Sequence, residues 1–473
     1  MAASLKTKTQ LKVAIIGSGP SGFYVADAII NSGISVEITL LEKLPCPYGL
    51  IRYGVAPDHQ KLKRIANTLD TIAEHPSVTF LGNVELGKNI NLEEIKSNYQ
   101  VIVFCNGMSD SISLGIDGEH LAGVYPCNDL IGWYNGHPDY QDLEFNFDHD
   151  TAVVIGHGNV AIDISRILSK SIDDLRVSDI PENALEILSK KTLKHVHMIG
   201  RRGPIQSKFT TKELHELGKL SNCNVSLDPK HLNLNAACQQ ELDDTSNIIV
   251  HKNYKVMQSY AGNFSAVNDK NKTQISIDFM LNPKYFTGKK QLSSAFFEET
   301  YLEGAPFNQT CKSLDRPIEI LCGLAFTSVG YRGAILENLP VNEPKRTLTN
   351  QNSNLIGGDG KIVKGLYAAG WVKRGPHGVI GTNRECAQNT VDSILKDTPT
   401  LLQTSAEGKA GLLKILNKKN IRYTTFEDWK VIDKKEVDKN MLNNDNCSIL
   451  EFLIIFNVTR DRKFFHCGRR NSS

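Results

Sequence analysis

At 473 residues, with 54 Lys and Arg against 52 Asp and Glu, the chain is long enough for two or three domains with sizeable cores. Its near-neutral balance excludes a global field of the kind that binds nucleic acid or an anionic membrane, so a partner docking through charge must use a local patch. The ten cysteines are scattered without CxxC, haem-attachment, zinc or iron–sulfur spacing, and read as reduced, mostly buried thiols with no metal site.

The first twelve residues carry three lysines, no acid and no arginine; a short targeting leader is conceivable there, without its usual arginines. Residues 13–16 form an apolar run that breaks at Gly17-x-Gly19-x-x-Gly22, continues as an apolar-periodic helix over 23–30, turns at Gly33 and resumes as a strand ending at Glu42. In such a strand-turn-helix-strand unit, glycines let backbone amides approach a pyrophosphate at a helix N-terminus. The carboxylate twenty residues past Gly22 then accepts ribose hydroxyl bonds. Glu42 would repel a 2′-phosphate, so an adenine dinucleotide without one is expected here.

The loop 45–59 (PCPYGLIRYGVAPDH) is dense in Gly and Pro. Lying just beyond the strand ends of a nucleotide-binding sheet, it reads as an active-site wall. Asp58 and His59 close it before a basic helix with Lys61, Lys63 and Arg64; His59 can serve a structural hydrogen bond as readily as it can move protons. Residues 77–81 and 100–105 read as further strands.

About 140 residues after the first fingerprint the theme returns. Residues 151–155 read as a strand, and Gly156-His157-Gly158-Asn159-Val160-Ala161 as a second fingerprint with alanine at its third position. An internal repeat of a nucleotide unit implies two dinucleotides. A helix over 169–188 lengthens the connection, and the strand 195–199 ends at Gly200-Arg201-Arg202-Gly203. Where the first copy has an acid, the second has two guanidiniums, suited to a 2′-phosphate. The first site is therefore expected to take a cofactor without a 2′-phosphate, such as FAD, and the second NADPH.

Residues 210–220 read as a helix placing Glu213 and Glu216 on one side, near the arginines. Residues 221–300 are weakly patterned, with strands suggested around 275–279, and 318–327 reads as one buried strand leading to Gly330-Tyr-Arg-Gly333. Farther on, the strand before Gly370 presents Trp371, and a Gly-rich loop enters a helix over about 382–395, whose N-terminus could stabilise charge on a reduced flavin. Trp371 could equally be a core residue. The most apolar late run, residues 452–456, has five residues against the roughly 20 of a membrane-spanning helix.

The motifs GSGPSGFY, CPYGLIRYGVAPDH, GWYNGHP, IGHGNVAIDISRIL, GRRGPIQSKFTTKEL, SVGYRG and GLYAAGWVKRGPHGVIGTN keep their order and spacing over about residues 11–430. In them the chain resembles the adrenodoxin reductase family of mitochondrial-type ferredoxin–NADP reductases. The resemblance implies an α/β fold of two Rossmann-like dinucleotide-binding domains, the NADPH domain (111–330) inserted into an FAD domain (1–110 and 331–440); residues 441–473 break from the family and are expected to form a poorly ordered or weakly packed tail. It implies a flavoprotein that passes electrons from NADPH through FAD to an acidic [2Fe–2S] ferredoxin, one at a time. The implied location is the mitochondrion, in the matrix or peripherally at its inner membrane.

Carried over residue by residue, the FAD contacts are Gly17, Gly19, Ser21, Gly22, Glu42, Leu50, Leu86, Trp371, Gly378, Val379 and Ile380. The NADPH contacts are His157, Gly158, Asn159, Val160, Arg201, Arg202, Glu213 and again Gly378, and His59 with Glu216 matches a proton-handling pair. The chain departs from the family where His157 replaces a usual Gln and His377 a usual Thr. Its ferredoxin-docking region offers only His215, Lys230, His231, His251, Lys252 and Lys255, from which slower or more salt-sensitive association is expected. A flavoprotein disulfide reductase would need a cysteine pair near the first fingerprint, where only Cys46 lies; a non-catalytic NADPH-responsive binding protein is the other alternative.

Overall fold

The computed structural model describes residues 10–264, 272–333, 339–343 and 346–443. The expected tail therefore lies, from residue 444 on, outside the described residues. The chain divides into two compact units, one of residues 1–55, 60–110 and 332–473, the other of residues 56–59 and 111–331.

In the first unit β1 (Leu11–Ile16), α1 (Pro20–Asn31), β2 (Val36–Leu41), β3 (Val78–Leu81) and β4 (Val101–Phe104) follow one another. In the second come β5 (Val124–Pro126), β6 (Thr151–Ile155), α2 (Asn159–Ser169), β7 (His195–Ile199), α3 (Thr211–Leu217), β8 (Cys223–Ser226) and β9 (Thr273–Asp278), then β10 (Leu281–Thr287), β11 (Ser294–Glu303), β12 (Thr310–Leu321) and β13 (Leu324–Thr327). The chain returns to the first unit with β14 (Asn350–Gln351), β15 (Asn354–Ile356), β16 (Ile362–Ala368), α4 (Thr382–Leu401), α5 (Lys409–Lys418) and α6 (Phe426–Asn443).

The first sheet has the order β14-β15-β16-β4-β1-β2-β3, parallel from β16 to β3. Val13 and Ile15 of β1 face a core shared with Phe23, Ala387 and Val391, whereas Ala14 and Ile16 face one shared with Leu412 and Leu416. A parallel strand covered on both faces reads as an unbroken apolar run, which is why period-2 alternation is missing from this sequence.

The second sheet, β5-β13-β6-β7-β9-β8, is parallel throughout. One face, with Ala152, Val154, Val196 and Met198, packs on helices; the other, with Val153, Ile155, Ile199 and Ala325, packs on Phe286 and Phe297 of the antiparallel β10-β11-β12 sheet.

Three elements differ from the sequence reading. Residues 318–327 are two strands: β12 ends its antiparallel pairing at Leu321, and β13 begins in the parallel sheet at Leu324. The chain changes sheets at Gly323, where a Cβ would lie 2.1 Å from the His149 ring. The stretch 169–188 holds two helices, Ile172–Arg176 and Glu182–Leu188, parted by Pro181. Residues 56–59, which in sequence close the loop beyond β2, pack with the second unit.

Candidate functional site

In the first unit β1 stops at Gly17, whose φ is 104° and where a Cβ would lie 2.6 Å from the Cys105 carbonyl oxygen. A Cβ on Gly22 would lie 2.1 Å from the Gly17 oxygen, so only glycine lets α1 seat on the turn. Gly19 has the opposite surroundings: a Cβ there would meet nothing within 4 Å. Gly19 is the N-cap of α1 and offers no side chain to it. Elsewhere Asn91, Ser171, Thr210 and Asn235 cap their helices with side-chain oxygens. The first-turn amides of α1 are thus left for an external anion, which the helix dipole also favours.

Glu42 is 9 % exposed. Its Oε2 accepts from the amide (3.0 Å) and hydroxyl (2.9 Å) of Ser18, its Oε1 from the Leu44 amide (3.2 Å). Ser18, fully buried, also accepts from the Tyr48 amide at 2.9 Å. Ser18 ties the turn, the acid and the loop together; the sequence reading passed over it, although its place between the first two glycines was the available signal. In the same loop Tyr48 has a φ of 83°, its hydroxyl donates to Asp70, and a Cβ on Gly49 would lie 3.1 Å from the Gly19 Cα. Arg52 donates from Nη2 to both carboxylate oxygens of Glu436 of α6, at 2.6 and 2.8 Å, and lies 4.9 Å over the Trp429 ring.

Gly370 packs against the fingerprint, where a Cβ would lie 2.5 Å from the Ser21 hydroxyl, and this sets Trp371, half-buried, beside that turn. Gly378 (φ 87°) and Val379 are exposed, and Ile380 packs on the α1 side of the sheet. Leu50 is exposed and Leu86 half-buried. Cys46 is buried against the Tyr53 hydroxyl at 2.9 Å, and burial pushes its thiol up to about 11. A thiol held protonated is a poor redox nucleophile, which counts against disulfide chemistry.

The second unit repeats the arrangement. Gly156 (φ 145°) ends β6 against the Ser328 carbonyl, where a Cβ would lie 2.3 Å away; Gly158 faces open space and caps α2 without a side chain; Ala161 is fully buried. His157 donates from Nε2 to the Met198 oxygen at 3.0 Å and lies edge-on to Phe279 at 4.4 Å. Burial pushes it down to about 4, so it is neutral at pH 7. Gly200 makes room for this ring, since a Cβ would lie 2.2 Å from His157 Nδ1.

The turn after β7 is lashed to the fingerprint: the Lys208 amide donates to the His157 oxygen and the Thr210 amide to Asn159 Oδ1, both at 2.8 Å. Val160 is half-buried in the first turn of α2. The antiparallel sheet holds the arginine turn by its backbone, Thr300 Oγ1 donating to the Arg201 oxygen at 2.9 Å and the Met280 amide to the Arg202 oxygen at 3.3 Å. Arg201 is exposed and Arg202 half-buried. Among the described residues neither guanidinium makes an ion pair. Two uncapped helix N-termini, an acid beyond the first and two unpaired arginines beyond the second fit FAD and NADP respectively.

A third feature lies within the second unit. His59 Nε2 is 2.9 Å from Glu216 Oε2 and 3.6 Å from Glu213 Oε2, and its Nδ1 is 3.8 Å from Asp163 Oδ1. Arg166 of α2, with a side chain 2 % exposed, stands at the centre. Its Nη2 meets both oxygens of Asp58, and its Nη1 meets His59 Nε2 and Glu216 Oε2, the latter at 3.3 Å. Lys170 adds a 2.6 Å contact to Asp58. Burial opposes ionisation of Asp58, but Arg166 and Lys170 hold its carboxyl below the usual range. Burial raises Glu213, and raises Asp163 well above the ordinary value.

His59 and Glu216 are thus brought together. The ion-pair partners of Glu213 and Glu216 are His59, Arg166 and Lys212, where the sequence reading had turned them toward Arg201 and Arg202. Arg166 was missed. Its signal is a charged residue three positions after Asp163, on a helix turn where Ile162, Ser165 and Ser169 are also buried. His59, Glu213 and Glu216 have a spacing that would admit a cation, but the Arg166 guanidinium already bears on the same atoms.

No protein-family model matches the chain. It is 33 % identical over 445 residues to the mitochondrial NADPH:adrenodoxin oxidoreductase of Arabidopsis thaliana, covering 92 % of each chain. It is 34 % identical over 434 residues to the NADPH-ferredoxin reductase FprA of Mycobacterium leprae, covering 90 % of this chain and 92 % of that one. Among solved structures it matches FprA, a Mycobacterium tuberculosis oxidoreductase, with a TM-score of 0.85 at 32 % identity, over 91 % of this chain and 95 % of that one. The structure of that protein in complex with NADPH matches with a TM-score of 0.84.

Proposed function

The chain belongs to the family of NADPH-dependent adrenodoxin and ferredoxin reductases, and we propose that it takes electrons from NADPH through FAD and delivers them to a ferredoxin. The observation that carries the assignment of the two cofactors is the contrast between the repeats: Glu42 beyond the first helix N-terminus, unpaired Arg201 and Arg202 beyond the second. FAD supplies the step from a two-electron donor to one-electron delivery, which no side chain can perform.

The chain's own residues bind and orient. The amides of α1 face the FAD pyrophosphate, with Ser18 holding Glu42 for the ribose; Ser21, Leu50, Leu86, Trp371, Gly378, Val379 and Ile380 are the remaining FAD residues of this reading. Gly158, Asn159 and Val160 open α2 toward the NADPH pyrophosphate, neutral His157 fixes that turn to β7, and Arg201 and Arg202 grip the 2′-phosphate. Glu213, with a carboxyl raised by burial, stands 3.6 Å from His59 Nε2, and His59 with Glu216, 2.9 Å apart, is the proton-handling pair of this reading. The partner is an acidic [2Fe–2S] ferredoxin, and the names of the plant and fish relatives support a mitochondrial setting. Relatives of similar identity are mycobacterial, so location is to be read from import of the labelled chain into isolated mitochondria.

The test is anaerobic titration of the purified protein. NADPH is expected to bleach the flavin band, NADH far more weakly, and cytochrome c reduction is expected to require added ferredoxin. Equal rates with the two nucleotides would refute the role of the arginines, and ferredoxin-independent turnover would refute the partner.

A further inference from the structure

The segment that joins β7 to α3, residues 200–210, carries Arg201, Arg202 and Lys208 and no acid; the next carboxyl along the chain is that of Glu213. Cations gathered on one short segment repel one another and favour an anion from outside it. Two of the three are the arginines facing the 2′-phosphate. Lys208 has no place in that assignment.

The backbone at Lys208 is fixed to the second fingerprint. Its amide donates to the His157 oxygen and, two residues on, the Thr210 amide donates to Asn159 Oδ1, both at 2.8 Å. Between them Phe209 turns inward: it is 2 % exposed, its ring lies 6.2 Å from that of His157, and its oxygen accepts from Nδ2 of the buried Asn253 at 2.9 Å. Upstream, Gln206 Nε2 donates to Glu241 Oε2 at 3.1 Å. Lys208 itself is exposed. Among the described residues its ammonium makes neither a hydrogen bond nor an ion pair, whereas Lys170, Lys212 and Lys230 of the same unit are paired with carboxylates. The two anchors, His157 and Asn159, flank Gly158, where α2 begins without a side-chain cap and a Cβ would meet nothing within 4 Å. The root of the Lys208 side chain therefore stands at the edge of the space left for a pyrophosphate.

We propose that Lys208 is a third cation of the second nucleotide site and that its ammonium binds the pyrophosphate of NADPH beside the first-turn amides of α2. This rests on the reading of that site as the NADPH site, and it adds a residue that lies outside the fingerprint. A compact ammonium on a flexible four-carbon stem is suited to a pyrophosphate as a point charge, while the planar guanidiniums of Arg201 and Arg202 serve the 2′-phosphate. One segment then holds both phosphate groupings of the nucleotide.

The test is calorimetric titration of the full-length, FAD-loaded protein with NADP+ and, separately, with 2′-AMP, which keeps the 2′-phosphate and lacks the pyrophosphate. Lys208→Met keeps most of the stem and removes the charge. It should weaken NADP+ about tenfold, the low end for a bond to a charged group because the ammonium is solvated, and leave 2′-AMP within about twofold of wild type. Flavin content and Tm should match wild type, because the fold uses only the amide of this residue. Lys208→Arg should keep most of the NADP+ affinity. Unchanged NADP+ affinity in Lys208→Met overturns the proposal and leaves a solvated surface charge. Equal losses for NADP+ and 2′-AMP also overturn it, since the ammonium then serves the 2′-phosphate. Neither result touches the assignment of the site. That assignment fails separately, if wild type binds NADP+ no better than NAD+, and the proposal falls with it.

Discussion

Gly22 and Ser18 carry more of the first nucleotide site than their size suggests. With a Cβ at Gly22 only 2.1 Å from the Gly17 oxygen, Gly22→Ala must push α1 off the turn. A cost of about 1–3 kcal/mol or more is expected from overpacking, measured as a lower Tm together with flavin lost on gel filtration. Ser18→Ala removes one charge-assisted hydrogen bond to a buried carboxylate, worth roughly 1.5–3 kcal/mol; flavin affinity should drop while the NADPH arginines are untouched. Asp163 supplies a pH prediction. Its folded-state pKa is raised by burial, so the native state binds this proton more tightly than the unfolded chain, and stability is lost as pH rises from the unfolded value toward the folded one. Asp163→Asn mimics the protonated form. Its Tm relative to wild type should therefore climb with pH above about 4, and a difference that stayed flat from pH 4 to 8 would refute the shift. At this scale the fingerprints were legible because glycine spacing is a local signal. Ser18 and Arg166 were not, because a serine or an arginine shows nothing of its partners until Glu42, Tyr48, Asp58 and His59 arrive from other segments.

Among the elements, the turn from β7 into α3 is held by backbone bonds to β11 and to the loop before β10, and by two amides to the second fingerprint. Arg201→Ala and Arg202→Ala should thus leave the fold intact and weaken NADPH binding roughly ten- to a hundredfold each, the worth of one charge-assisted contact. NADH oxidation should change little; equal losses for both nucleotides would sink the assignment. The loop beyond β2 is pinned differently, by the Arg52–Glu436 pair to α6. Arg52→Met is expected to cost about 2 kcal/mol, less than a fully buried pair, and to raise hydrogen exchange in α6 before that in β1. Parallel strands were readable from their apolar runs. The β10-β11-β12 sheet was not, since β12 is exposed over most of its length and its antiparallel partners pair only in three dimensions.

For the whole molecule, the repeat of a nucleotide unit was visible in sequence, whereas a second stretch of the FAD domain from residue 331 came only with the family resemblance; in the structure the chain rejoins its first sheet through β16, beside β4. What sequence could not give is the membership of residues 56–59. They follow the first unit's loop directly, yet they belong to the second unit, and between residues 55 and 332 the backbone changes unit four times. The second nucleotide unit is therefore not a cassette that ends where its inserted sequence ends. Residues 111–331 produced alone would leave Arg166, 2 % exposed, without Asp58 and His59 and with Glu216 at 3.3 Å as its nearest carboxyl, and breaking the buried Asp58 pair costs up to about 3–5 kcal/mol. A free-standing fragment should melt well below the same unit in the intact protein, and grafting the domain onto another scaffold would succeed only if four residues from elsewhere in the chain travelled with it.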